Sequence, residues 1–196
     1  MKKSILTLAI LISLMANAQE LPKNFNELVK NIEPQLIGWR HHFHEFPELS
    51  NREFNTGKYI ADYLRTIGLE VKHPFAKTGV VAILKGNKPG PVIGLRADID
   101  ALPVAERAPI PFASKVKAEY NGQQVSVMHA CGHDAHTAIL MATAKALKDM
   151  QKDLAGTVVF LFQPAEEGAP NNEEGGAQLM IKEGAMDVPK LEVVFG

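Results

Sequence analysis

The segment Gly156-Thr157-Val158-Val159-Phe160-Leu161-Phe162 is a continuous run of β-branched, aromatic and small residues in a chain of 196. A strand that alternates apolar and polar side chains can leave one face in water. A run like this one needs cover on both faces. The cover available is helical. Phe25, Leu28, Ile32, Leu36 and Trp39 recur at helical spacing, with Pro34 as a point of kinking. A second helical stretch runs from about Glu53 to Ile67 and stops at Gly68. A third, Ala-rich, runs from Asp134 to about Met150. It is expected to bury Ile139, Ala142, Ala146 and Met150, with Leu140 and Leu147 beside them. A short helix is expected over residues 176–182. Leu69 to Val71, Gly79 to Leu84, Pro91 to Arg96 and Leu191 to Phe195 read as further strands, and the proline-rich stretch 103–113 as loop. Strands separated by helices predict an α/β layer fold with a largely parallel sheet.

The first residues are set apart from that pattern. Lys2-Lys3 precede an apolar run from Ile5 to Met15, and Ala16-Asn17-Ala18 supplies small residues at the positions a signal peptidase reads. The run is shorter than the ~20 residues a membrane span needs. Residues 1–18 are therefore expected to be a signal peptide and residues 19–196 an exported chain, periplasmic or extracellular, with no membrane partner after cleavage. With 21 basic and 22 acidic residues, the formal net charge of -1 gives no electrostatic case for nucleic acid. A single cysteine excludes an internal disulfide. An exported protein tends to lose unpaired thiols to oxidation, so Cys131 requires a reason.

Three segments concentrate reactive groups, each just beyond an apolar element. Arg96-Ala97-Asp98-Ile99-Asp100 leaves a strand, and the two-residue period points Arg96, Asp98 and Asp100 to one face. Ligands of open α/β sheets collect beyond such strand ends. His129-Ala130-Cys131-Gly132-His133-Asp134-Ala135-His136 opens the Ala-rich helix. A thiol and an imidazole two residues apart can reach one ion, with Gly132 letting the backbone fold tightly; these are zinc-favouring ligand types. A helix N-terminus is expected to lower the Cys131 pKa. His129 and His136 have weaker claims, as outer partners or packed residues. Gln163-Pro164-Ala165-Glu166-Glu167-Gly168 follows the buried strand, and adjacent residues of extended chain point opposite ways. One carboxylate can then face a metal and its neighbour a water or substrate, the division metal-assisted hydrolysis requires.

Together these strings resemble the amidohydrolase branch of the aminoacylase and carboxypeptidase-like metallopeptidases. That branch includes hippurate hydrolases, N-acetyl-diaminopimelate deacetylases and indole-acetyl-amino-acid hydrolases. The resemblance spans about Trp39 to Gly196. It rests on Arg40 with His44, on Pro47-Glu48-Leu49, Glu53 and Thr56, and on Thr78-Gly79-Val80. It continues through Leu95 to Pro103, Met128 to Thr137 and Phe162 to Gly168. It implies a three-layer zinc-peptidase-like catalytic domain with a largely parallel mixed sheet. It also implies hydrolysis of the amide bond of small N-acyl amino acids, of the hippurate or N-acetyl type. By the resemblance Cys131, His133 and Glu167 bind metal, Glu166 is general base and acid, and Asp98 is the supporting acidic residue. The metal is zinc or manganese, with cobalt or nickel also found, and the complete enzyme holds two. His44 has no ligand role and is expected to be a buried hydrogen-bonding residue. His41, His42 and His73 lie outside the motifs.

The resemblance also sets an expectation about extent. Family members continue past a Phe-Gly pair like Phe195-Gly196 into a Leu-His whose His binds metal, and then into a lid or dimerisation domain. The chain is therefore expected to be an incomplete catalytic domain without its lid, its turnover impaired, a homodimer only in full-length form. The alternative is a non-catalytic metal-binding remnant, or a fragment whose fold another polypeptide completes. A Cys131–His133 thiol amidase would leave Glu166 and Glu167 without work.

Overall fold

The structure is a computed structural model that describes residues 25–187 and 189–196. The leader expected over residues 1–18 lies outside the described residues. The chain divides into residues 1–31 and residues 32–196, and apart from the start of the first helix every element described lies in the second unit.

Helix α1 (Phe25–Glu45) runs unbroken through Pro34 and buries Ile32, Trp39 and Phe43. Helix α2 is Phe54–Thr66. Strands β1 (Glu70–Phe75), β2 (Gly79–Lys85) and β3 (Lys88–Asp98) follow, then a hairpin of β4 (Lys117–Tyr120) and β5 (Gln123–Ser126). Helix α3 (His133–Asp149), strand β6 (Ala155–Gln163), helix α4 (Gly176–Lys182) and strand β7 (Val193–Phe195) complete the order. The run that opened the sequence reading is β6, buried on both faces over almost its whole length. Among the described residues no helix is long and apolar enough to cross a membrane.

The main sheet has the order β1-β2-β6-β3-β7. It is mixed: β3 pairs in parallel with β6 and β7, whereas β1–β2 and β2–β6 are antiparallel. The parallel half carries the chemistry, and β1–β2 is an antiparallel extension joined through a tight turn. Val81, Ile83, Val159 and Leu161 on one face pack with Leu179 and Met180 of α4. Alternation turns the intervening residues of β2 and β6 to the other face, where α2 and α3 lie. The α/β layer expectation holds, with helices on both faces of one sheet.

Two local readings change. In α3 the buried residues include Thr137, Ala138, Leu140, Met141, Ala142 and Ala144, whereas Ile139 is 52% exposed. The alanines carry no strong phase, so the sequence alone set the buried face one residue off. The hairpin over 117–126 has no counterpart in the sequence reading. Its signal is present, because Asn121 and Gly122 both take positive φ, 50° and 79°, as a two-residue primed turn requires.

Candidate active site

Parallel pairing brings the acidic segments together. Asp98 of β3 is in register with Gln163 of β6, and Ile99 N–H donates to Gln163 O at 3.0 Å. Residues 98–100 and 163–167 therefore leave the sheet side by side, at the strand ends where α/β folds gather ligands. The N-terminus of α3 is drawn to the same place. Thr137 Oγ1 donates to Asp98 O at 2.9 Å, and His133 Nδ1 lies 2.8 Å from Asp100 O. Gly132, at the N-cap with φ 91°, makes the turn that brings Cys131 back over the helix end.

The ring of His133 is buried, with four carboxylates around it. Its Nδ1 is 3.3 Å from Asp100 Oδ1. Its Nε2 is 3.6 Å from Asp98 Oδ1, 3.6 Å from Glu166 Oε2 and 3.7 Å from Glu167 Oε1. Burial works to lower the His133 pKa, but the Asp100 hydrogen bonds and the charges of Asp98 and Asp100 prevail and raise it to about 9. Burial likewise works against the Asp100 charge. Hydrogen bonds with His133, with Ser50 Oγ at 2.7 Å and with Glu167 N–H at 3.0 Å outweigh it and hold the carboxyl below its ordinary value.

Ligand atoms of Cys131, His133 and Glu167 all lie within 4.8 Å of one another, and so do those of Asp98, His133 and His136. The first set contains the three metal-binding candidates of the sequence reading, with Glu166 beside the same ring. Asp98 faces the site, paired with Arg96 Nη1 at 2.9 Å and His136 Nδ1 at 2.7 Å. A thiol, an imidazole and a carboxylate are a donor set suited to zinc and its neighbours. Among the described residues Glu167 Oε1 is buried with no hydrogen-bond partner, and buried Asp100 Oδ1 meets only His133 Nδ1, at 3.3 Å. Such concentrated negative charge is costly to bury unless a cation joins it. The residues present fit a divalent metal.

One electrostatic expectation is overturned. The helix end does not lower the Cys131 thiol. Its contact with the Glu167 carboxylate raises the pKa, burial adds to this, and so do the charges of Glu167, Glu166 and Asp98. A thiol so placed is a poor free nucleophile, and a nearby cation would reverse the balance.

The remaining histidines separate cleanly. His44 is buried, its Nδ1 2.9 Å from Asp134 Oδ2 and its Nε2 2.8 Å from Glu106 Oε2, the hydrogen-bonding role expected of it. His129 is packed inside, and burial pushes its pKa down to about 4. His41 stacks on Phe112, His42 stacks on Tyr59, and His73 Nδ1 meets Gly79 O at 3.1 Å. The sequence reading put Asp100 on the reactive face but gave it no role, although it touches His133 directly, and it did not single out Ser50, which holds Asp100. The alternation of Asp98 and Asp100 was the available signal.

Comparison with known proteins agrees with this geometry. Over 159 residues the chain is 45% identical to the N-acetyl-L-cysteine deacetylase of Bacillus subtilis, covering 81% of this chain and 35% of that protein. Over 175 residues it is 42% identical to the N-acyl-L-amino acid amidohydrolase of Geobacillus stearothermophilus, covering 89% and 43%. A solved dinuclear metal-binding peptidase of the M20 family from Bacillus subtilis matches with a TM-score of 0.73 and 43% identity, over 85% of this chain and 43% of that one. The chain thus spans less than half the length of each of these relatives. Residues 94–196, more than half of the sequence, match the family described as Peptidase family M20/M25/M40, and the chain belongs to that family.

Proposed function

We propose that the chain carries the metal-holding and proton-transferring groups of a metal-dependent amidohydrolase acting on N-acyl amino acids. The observation that carries this reading is the convergence of Cys131, His133 and Glu167 within 4.8 Å, with Glu166 Oε2 3.6 Å from the same imidazole. Cys131, His133 and Glu167 would hold the ion. When bound, a divalent cation there polarises the scissile carbonyl and activates water. The names of the two curated relatives, an N-acetylcysteine deacetylase and an N-acyl-amino-acid amidohydrolase, support the substrate class.

The chain's own residues divide the remaining work. The Glu166 side chain is 39% exposed, open to a water or substrate, whereas Glu167 is turned inward. Glu166 takes the proton of the attacking water and returns it to the departing amine nitrogen. Asp98, held by Arg96, faces His133 Nε2 and steadies the charge of the site. His133 keeps its ring fixed by donating Nδ1–H to the Asp100 carbonyl.

The test pairs binding with turnover on N-acetyl amino acids and hippurate. Glu166→Gln is expected to lower turnover by about 10²–10⁴-fold and leave metal binding intact. Full activity in Glu166→Gln, or in wild type stripped of metal by a chelator, would overturn the reading.

A further inference from the structure

Glu53 is one of the residues on which the resemblance rests but has no part in the reaction described above. It is 0% exposed, at the N-cap position of α2, yet its side chain makes no capping hydrogen bond. Capping is done by another residue. Glu48 Oε2 accepts from Thr56 N–H at 2.8 Å and Thr56 Oγ1 at 2.9 Å, and Glu48 Oε1 accepts from Asn55 N–H at 3.2 Å. With the free amides of α2 satisfied, Glu53 is released to point across the fold.

It points at the turn that launches the catalytic pair. Glu53 Oε1 accepts from Ala165 N–H at 2.8 Å, and Glu53 Oε2 takes the Thr78 hydroxyl at 2.6 Å. Ala165 is buried, and its φ of 50° lies in the left-handed region that a residue with a Cβ rarely occupies. Such backbone persists only where its surroundings over-determine it. Glu166 and Glu167 follow immediately, one open to the site and the other turned inward. A buried carboxylate needs strong reasons to be there: burial, with the Asp100 charge, pushes the Glu53 carboxyl up to about 7 against the hydrogen bonds it accepts. Its neighbours in sequence reinforce the hold. Asn51 Nδ2 donates to Glu174 O at 3.0 Å, and Arg52 and Lys77 pair with Glu173, so the far end of the same loop is anchored to the same turn.

We infer that Glu53 is a positioning residue: by holding the Ala165 amide it fixes the left-handed turn that aims Glu166 and Glu167. This rests on the metal-site reading above, and it concerns shape at Ala165, with the charge of Glu53 dispensable. Two substitutions separate shape from charge. Glu53→Gln keeps an oxygen for Ala165 N–H and offers an amide to Thr78 Oγ1. Glu53→Asp keeps the charge but withdraws it by one methylene.

The experiment titrates metal-free protein with Co(II) and reads the thiolate-to-cobalt absorption band and the dissociation constant, alongside kcat and KM. Wild type should show the band. Glu53→Asp should bind Co(II) about 10–100-fold more weakly, with an altered band and a fall in kcat that exceeds any change in KM. Glu53→Gln should match wild type in band and affinity. A wild-type protein with no thiolate band would overturn the metal-site reading itself. A normal band in wild type with Glu53→Asp indistinguishable from it, or with Glu53→Gln as impaired as Glu53→Asp, would overturn the role of Glu53. Should Glu53→Asp not fold, Glu53→Gln decides alone: it must keep the wild-type band and affinity, and impairment in it would overturn the inference.

Discussion

His133 Nδ1 lies 2.8 Å from the backbone oxygen of Asp100. A carbonyl oxygen only accepts, so Nδ1 carries a proton, and in the neutral ring that can bind a cation Nε2 is the free nitrogen, facing Glu166 and Glu167 at 3.6 and 3.7 Å. The backbone thus selects the tautomer. His133→Ala is expected to weaken divalent-metal binding by more than the ~10–100-fold that loss of an outer partner costs. Competition titration against a chromophoric chelator measures it, and wild-type affinity in the variant would remove His133 from the ligand set.

Asp100 acts at one remove. Its Oδ2 accepts from Ser50 and from the Glu167 amide, tying the loop that carries Glu167 to the segment just beyond β3. Asp100→Ala leaves both donors buried and unpaired, and should cost about 10–100-fold in metal affinity while Cys131, His133 and Glu167 remain in place. Equal affinities for the variant and wild type would show that the loop holds its shape without this tie.

Glu53 gives the fold a pH dependence of definite sign. Burial raises its pKa from the ordinary 4.5 to about 7, the Asp100 charge adds to the rise, and hydrogen bonds from Thr78 and Ala165 oppose it. The folded state therefore binds this proton more tightly than the unfolded chain. The stabilisation is full below about 4.5 and is lost as pH rises through about 7. Glu53→Gln cannot titrate, so its stability relative to wild type should increase by about 3 kcal/mol between pH 4.5 and pH 8. Urea unfolding of the metal-free proteins at both pH values reads this difference. A gap independent of pH would contradict it.

Two glycines should respond to alanine with opposite signs. A Cβ on Gly57 would lie 2.0 Å from Thr78 O and 2.9 Å from His73 Cε1, whereas one on Gly38 meets nothing within 4 Å. Alanine gains up to about 1 kcal/mol of helix propensity at either position. At Gly38 that gain stands alone, so Gly38→Ala should stabilise. At Gly57 the collision with backbone costs about 1–3 kcal/mol or more, and Gly57→Ala should destabilise. Thermal melting compares the two; a stabilised Gly57→Ala would show that α2 can move away from Thr78 freely.

Much of this was legible in residue order because the pattern itself carries the physics. The apolar run of β6 admits only a doubly covered strand, and Cys131 and His133 stand out by type and spacing, whereas Glu166 and Glu167 take their roles only from the family resemblance. Other features were hidden for stated reasons. Ala138, Ala142 and Ala144 are too alike for periodicity to choose the buried face of α3, so Ile139 was assigned inward and is exposed. Asp98 and Asp100 share a phase along β3, and only the approach of α3 distinguishes the residue touching Nδ1 from the one facing Nε2. Glu53 meets Ala165 across 112 residues, a pairing no local spacing can suggest. The Asn121-Gly122 turn was readable and was passed over.

The stretch Ser50–Glu53 has a broader consequence. Ser50 holds β3 through Asp100, Asn51 and Arg52 hold the loop ahead of α4, and Glu53 holds the residue that follows β6 and Pro164. Four neighbouring links in the chain thus fasten the segment beyond β3 and both ends of the loop between β6 and α4. The reactive centre cannot loosen one limb at a time: fraying at any of them is transmitted to the rest, and amide exchange at Ala165 and Glu167 should report opening of the whole knot together.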